Sequence, residues 1–188
     1  MSELIDYYSK HWSLNKVEKI TETYTGYIYK VDSEYGPAVL KIFTEVGVKD
    51  EAGGSVFLRA CSGNGSVSLY EYDEKAQLME YLSGQNLYEY SKNGREDEAT
   101  LVFVNIIKKN HKAQVIEDRE KLTTLVDLFR LFDRLNPPEN LNSTFKKAKV
   151  LSKYLLSTQT EEVLLHGDLH HENVLKNKSG EYVGFDPK

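Results

Sequence analysis

A chain of 188 residues can bury one good core or two small ones joined at a hinge. Its formal net charge of -5 with 28% charged residues, and the lack of any dense basic tract, argue against nucleic acid as a partner, while no apolar run approaches membrane-spanning length. The amino terminus "MSELIDYYSKHW" is acidic and aromatic where a signal peptide is basic and then apolar, and the single cysteine, Cys61, excludes an intrachain disulfide framework; together these features predict a cytoplasmic protein.

Trp12 reads as an anchor that fixes the amino-terminal segment by burial, and His11 as a surface residue. From Val17 to Glu80 the segments "VEKITE", "YIYKVD", "PAVLKIF", "VSLYEY" and "AQLMEY" are rich in β-branched and aromatic residues and predict strands. "SEYGP" and "YDEK" have the composition of hairpin connections, so neighbouring strands are expected to run antiparallel. Between "KIF" and "VSLYEY", residues Val48, Val56, Leu58 and Ala60 predict one short helix that ends at the glycines of "SGNG". The pair Gly53 and Gly54 runs against helix formation within it.

After the connection "LSGQNL" the apolar period changes from near two to near 3.6, which sets a boundary between residues 1–82 and 83–188. Three helices are expected beyond it: 97–115, 119–135 with Leu122, Leu125, Phe129, Phe132 and Leu135 as a core stripe, and one from Ser143. "NPPEN" interrupts them, because paired prolines remove amide donors and restrict the residue before them. His111 reads as a surface residue.

In "VLLHGDLHHENVLKNKSGEYVGFDPK", Gly167 disfavours a helix and predicts a loop held between "VLL" and "NVL" as buried strands. The loop brings Asp168 and Asn173 together, and a hairpin through "NKSG" returns Asp186 to the neighbourhood of Asn173. One anionic and one neutral hard oxygen suit Mg²⁺ on nucleotide phosphates, because Mg²⁺ takes few protein ligands and completes its shell with water and phosphate. Asp168 is left to accept the proton of an attacking hydroxyl. His166, His170 and His171 have the composition of a zinc site, but Gly167 spoils the helix that would align an H-x-x-x-H pair.

The D-x-x-x-x-N spacing followed thirteen residues later by Asp is that of kinase catalytic loops. "HGDLHHENVL" resembles the aminoglycoside phosphotransferase family, and "DPK" after an apolar strand is similar to its branch of streptomycin 6-phosphotransferases and hydroxyurea kinases. The resemblance implies a protein-kinase-like, bilobal α+β fold: a nucleotide-binding lobe, 1–82, of antiparallel sheet with one helix, and a mostly helical lobe, 83–188. It also implies Asp168 as catalytic base, Asn173 and Asp186 as magnesium ligands, and His166 and His170 as braces of the loop. Family members carry further helices beyond the magnesium aspartate. The resemblance therefore implies a carboxy-terminal lobe that lacks them, in a truncated, partly observed or naturally short form. Apolar faces left uncovered in that lobe predict self-association or low stability.

Upstream, Lys41 in "PAVLKIF" resembles the strand lysine that contacts nucleotide phosphates, with Glu51 as its partner and Glu45 and Asp50 as rivals. "ETYTGYIYKV" has only Gly26 where kinases carry a glycine-rich loop, so Thr23, Thr25 and the amides around Gly26 are the candidate phosphate donors. Main-chain groups from Glu80 to Leu82, with Met79 packed on the ring, are the candidate adenine site, beside the plainer reading of a strand entering a linker. The expected function is ATP- and Mg²⁺-dependent transfer of the γ-phosphate to a hydroxyl of a small molecule such as the aminoglycoside streptomycin, a cationic acceptor matching an acidic chain. The alternative is a nucleotide-binding module without catalysis, and a protein kinase is disfavoured by "HGD".

Overall fold

Two-residue alternation builds the first part of the chain into a sheet. The computed structural model describes residues 2–115 and 117–188. Five strands, β1 (Asn15–Glu22), β2 (Gly26–Ser33), β3 (Gly36–Phe43), β4 (Leu69–Tyr72) and β5 (Ala76–Glu80), pair antiparallel in the order β1-β2-β3-β5-β4. On one face Tyr29, Val31, Ala38, Leu40, Ile42 and Leu78 form a core with Trp12. That core is closed by a helix the sequence reading did not assign, α1 (Ser2–His11), which supplies Tyr8. The Tyr8 hydroxyl donates to Asp73 at 2.9 Å, and burial together with that carboxylate pushes its pKa up. The spacing of Tyr8 and Trp12, one helical turn apart, is the signal that carried this helix.

The other face receives two consecutive helices, α2 (Glu45–Asp50) and α3 (Ala52–Cys61), where the sequence predicts one. Thr44 caps α2 by accepting from the Gly47 amide at 3.1 Å, and Ser62 ends α3 in the left-handed region at φ 49°. The glycine pair has a packing reason. A Cβ on Gly54 would lie 2.8 Å from the Pro187 carbonyl oxygen, and one on Gly53 3.2 Å from that of Lys121, so the pair lets distant backbone approach α3. Phe57, Leu58, Cys61 and Val67 form a second core beneath the helix. Cys61 is fully buried there, and burial raises its thiol to about 11.

The rest is helical around one small hairpin. Helices α4 (Tyr88–Lys92) and α5 (Glu96–Asn110) place Leu87, Ala99 and Ile106 against Val174 in a third core. The hairpin of β6 (Val174–Lys176) and β7 (Tyr182–Gly184) is bonded to both halves: Leu87 N–H donates to Val174 O at 3.0 Å, and Val67 N–H to Gly184 O at 2.8 Å.

Between α5 and the hairpin the sequence expectations need correction. The helix predicted over 97–115 stops at Asn110. The helix predicted over 119–135 is broken into a 3₁₀ turn at Arg119–Lys121, α6 (Leu125–Phe129) and α7 (Leu131–Arg134), because Thr124 starts α6 afresh with a capping box to Asp127. Its stripe is not core: Leu125 and Leu135 are exposed, and Phe129 and Phe132 are only half-buried, Phe132 against Phe145 of α8 (Asn142–Ser157). Val150, Leu151, Tyr154 and Leu155 on α8 are also exposed. "VLL" at 163–165 forms no strand, and Val163 and Leu165 are exposed. These stretches satisfy helical or strand spacing, but among the described residues no layer covers them.

The turn between β1 and β2 rests directly on α2. A Cβ at Gly47 would stand 1.8 Å from the Thr25 carbonyl oxygen, so Gly47→Ala is expected to destabilise the chain by about 2 kcal/mol or more. A urea unfolding midpoint equal to that of the unsubstituted chain would contradict this packing.

Candidate active site

Alternation along β3 turns Leu40 and Ile42 to the first core and Lys41 to the opposite face, under α3. There Lys41 is 4% exposed, and its Nζ lies 2.8 Å from Oε2 of Glu51, which is 2% exposed. Glu51 occupies the junction of α2 and α3, so its side chain points at the sheet while the rivals Glu45 and Asp50 are exposed. The same Nζ donates to Asp186 Oδ1 at 2.6 Å, across 145 residues of sequence. A buried ion pair of this kind is tolerated only when its remaining oxygens are also partnered. Here Lys188 donates to Glu51 Oε1 at 2.7 Å and stands 3.4 Å from Asp186 Oδ2.

Asp186 follows β7 in a left-handed conformation at φ 58°, which aspartate tolerates. Burial works to raise its pKa but is outweighed by Lys41 and then Lys188, which hold the carboxyl below its ordinary value. For Lys188 the order is the same: burial would lower its pKa, and Glu51 and Asp186 raise it.

The loop at 166–173 is built around Gly167, at φ 81°, where a Cβ would lie 2.5 Å from the Lys188 carbonyl oxygen. His166 is buried, packs edge-to-face on Phe57 at 5.4 Å, and accepts from the Asp168 amide through Nδ1 at 3.4 Å. Burial pushes its pKa down to about 4 against the opposing charges of Asp168 and Asp186, so the ring is neutral and Nδ1 can accept. Asn173 ends a 3₁₀ turn (His171–Asn173) and donates through Nδ2 to the Asp168 carbonyl at 3.0 Å and to Oδ2 at 3.3 Å. Its Oδ1, the acceptor end of the amide, takes no hydrogen bond among the described residues. Phe185 N–H donates to Asn173 O at 3.0 Å, which brings the Asp186 strand end beside Asn173. The Asp168 carboxylate is 46% exposed, accessible to an incoming group.

The histidines do not converge. His170 Nε2 stands 3.9 Å from Asp168 Oδ1, too far for a hydrogen bond, and His171 faces Glu96 at 3.3 Å. Among the described residues no three His, Cys, Asp or Glu side chains are grouped to hold a metal ion, so the zinc arrangement is not formed. One carboxylate and one amide oxygen, Asp186 and Asn173, remain as a hard-oxygen pair that fits Mg²⁺.

Gly26 lies against the Lys41 stem, and its amide donates to Thr23 Oγ1 at 3.1 Å, within the turn. The Thr25 carbonyl accepts from Thr44 N–H at 3.0 Å. Met79 and Leu82 pack on the second core, and the Glu80 amide is committed to Ser68 O at 2.9 Å. Of the residues expected at an adenine edge, Leu82 is the one whose main-chain groups have no hydrogen bond among the described residues. The sequence reading gave Lys188 no role, and its only signal there was its place in "DPK".

The model of the aminoglycoside/hydroxyurea antibiotic resistance kinase family matches residues 11–188, and the chain belongs to that family. It is 27% identical over 179 residues to a streptomycin 3''-kinase of Klebsiella pneumoniae, covering 95% of this chain and 65% of that protein. In fold it is similar to a choline/ethanolamine kinase family protein from Mesorhizobium loti, with a TM-score of 0.65 at 15% identity over 92% of this chain and 57% of the other. It is similar also to a thermostable mutant of the aminoglycoside phosphotransferase APH(4)-Ia in a ternary complex with ADP and hygromycin B, with a TM-score of 0.62 at 11% identity over 97% of this chain and 69% of the other. The bilobal, kinase-like α+β architecture follows from these likenesses.

His166 gives the folded state a pH dependence. Unfolded, its imidazole takes up a proton near 6.5; folded, only near 4, so stability rises with pH through that window and is lost as pH falls through it. Urea unfolding between pH 7 and 4.5 should show His166→Asn losing roughly 2–3 kcal/mol less than the unsubstituted chain; parallel losses would remove His166 as the cause.

Proposed function

We propose that this chain is the nucleotide-binding and catalytic part of a small-molecule kinase that moves the γ-phosphate of ATP to an acceptor hydroxyl. The observation that carries the reading is the meeting of Lys41, Glu51 and Asp186 within 2.8 Å contacts, from opposite ends of the sequence. In this reading residues 1–82 hold the nucleotide and residues 83–188 carry the loop and hairpin. Lys41, oriented by Glu51, exchanges its contact with Asp186 for the nucleotide phosphates. Thr25 and the turn at Gly26 cover them, and Met79, Glu80 and Leu82 line the adenine edge.

Asn173 and Asp186 hold Mg²⁺, which when bound screens the phosphate charge. Asp168 accepts the proton of the attacking hydroxyl, and Asn173 Nδ2 with the neutral His166 fixes its loop in place. The acceptor we favour is an aminoglycoside such as streptomycin, from the family match, the streptomycin 3''-kinase relative and the acidic chain. The chain spans 65% of that relative's length. No helix among the described residues is long and apolar enough to cross a membrane, and a cytoplasmic site of action, where ATP is present, accords with the reading.

Mg²⁺-dependent transfer from ATP to streptomycin and a panel of aminoglycosides tests it. Asp168→Asn should lower turnover at least about a hundredfold while ADP affinity stays nearly constant. Undiminished turnover would refute the base assignment, and ADP binding without transfer by the unsubstituted chain would favour the non-catalytic module.

The exposed apolar residues Val150, Leu151, Tyr154 and Leu155 of α8 support self-association through this surface. Sedimentation velocity is expected to show species larger than a monomer; a compact, monodisperse monomer at tens of micromolar chain would end that proposal.

A further inference from the structure

The kinase reading leaves Lys188 without a task, although both its backbone and its side chain are bonded. Its amide donates to the His166 carbonyl at 2.9 Å, and its own carbonyl presses on Gly167, so its backbone is held by the loop that carries Asp168. Its Nζ then completes a closed ring of alternating charges. Glu51 receives Lys41 on Oε2 at 2.8 Å and Lys188 on Oε1 at 2.7 Å; Asp186 receives Lys41 on Oδ1 at 2.6 Å and Lys188 on Oδ2 at 3.4 Å. Every oxygen of the two carboxylates faces an ammonium.

The two lysines are not equivalent. Lys41 is buried at 5% side-chain exposure, whereas Lys188 and Asp186 are open to solvent at 37% and 35%. Two carboxylates with Lys41 alone would leave one net negative charge in a partly dehydrated place, an arrangement that needs a second cation. A divalent ion on Asp186 meets that need from the same exposed side. We propose, on the footing of the kinase reading above, that Lys188 is a positioning residue that stands in for the metal. In the metal-free protein its ammonium holds the exposed oxygen of Asp186, and as a divalent ion arrives it withdraws onto Glu51, its shorter contact. Lys188 thereby sets how much metal the site requires while keeping Glu51 aligned on Lys41.

The test is ADP affinity, measured by calorimetry as a function of Mg²⁺ concentration. Removing a like charge beside a half-exposed metal ligand should lower the half-saturating Mg²⁺ about fivefold in Lys188→Met. Lys188→Arg should restore the original midpoint, and Asp186→Asn should abolish the Mg²⁺ dependence in either background. A residue with a merely structural role would shift the midpoint upward or leave it alone. Lys188→Gln, which keeps a donor toward Glu51, is held to the same criterion should Lys188→Met fail to fold. Midpoints unchanged or raised in a folded Met or Gln variant overturn this proposal and leave the kinase reading standing. No Mg²⁺-linked ADP binding by the unsubstituted chain overturns the kinase reading itself, and this proposal with it.

Discussion

A lysine and a glutamate buried against each other beneath a helix constrain the rest of this molecule. Each charge taken from water carries a desolvation cost that its partner offsets only if the remaining oxygens and protons are also satisfied. Lys41 and Glu51 are almost fully buried, so the structure brings two further charges to them, Asp186 and Lys188, from the far end of the sequence. Backbone must come close for those side chains to reach. Glycine at 54 admits Pro187 to α3, and glycine at 167 admits Lys188 to the loop. The glycine that reads as a blemish in a helix, and the one that predicts a loop, are the places where the charge ring closes.

The same requirement explains the hairpin. A two-stranded ribbon of three-residue strands has little stability of its own. Here β7 is bonded to the segment at Gly65–Val67 below α3, and β6 to Leu87 and to Gly84 through Lys176 O. Phe185 packs on the core beneath α3, and Val174 on that of α5. The hairpin thus joins the sheet half to the helical half and carries Asn173 and Asp186 at its two ends. Asp168, on the loop just before it, stays half exposed.

The helical half is uneven in a way that bears on function. Helix α5 is anchored by Ala99 and Ile106, whereas α6, α7 and α8 expose much of their apolar surface. The residues that hold the charge ring and the loop all lie in the well-packed part. The chain spans 65% of the streptomycin 3''-kinase it resembles, and the exposed apolar residues extend from these helices to Val163 and Leu165, just before the loop.

The strands and their antiparallel pairing, the change of period after residue 82, and the chemical types at Lys41, Asp168, Asn173 and Asp186 were legible in the sequence. They depend on local alternation, turn composition and short spacings, which a sequence carries directly. The stripe at Leu122–Leu135 and the "VLL" segment misled, because helical and strand periodicity reports which face could be buried and not whether anything covers it. Glu51 was the sequence's choice over Glu45 and Asp50, but what makes it the partner is the turn between α2 and α3, which aims one of three nearby carboxylates at the sheet. The role of Lys188 was invisible for a stronger reason. A charge ring closed across 145 residues has no period and no spacing, and only the packing of α3 on the returning strand end decides which oxygens each ammonium meets.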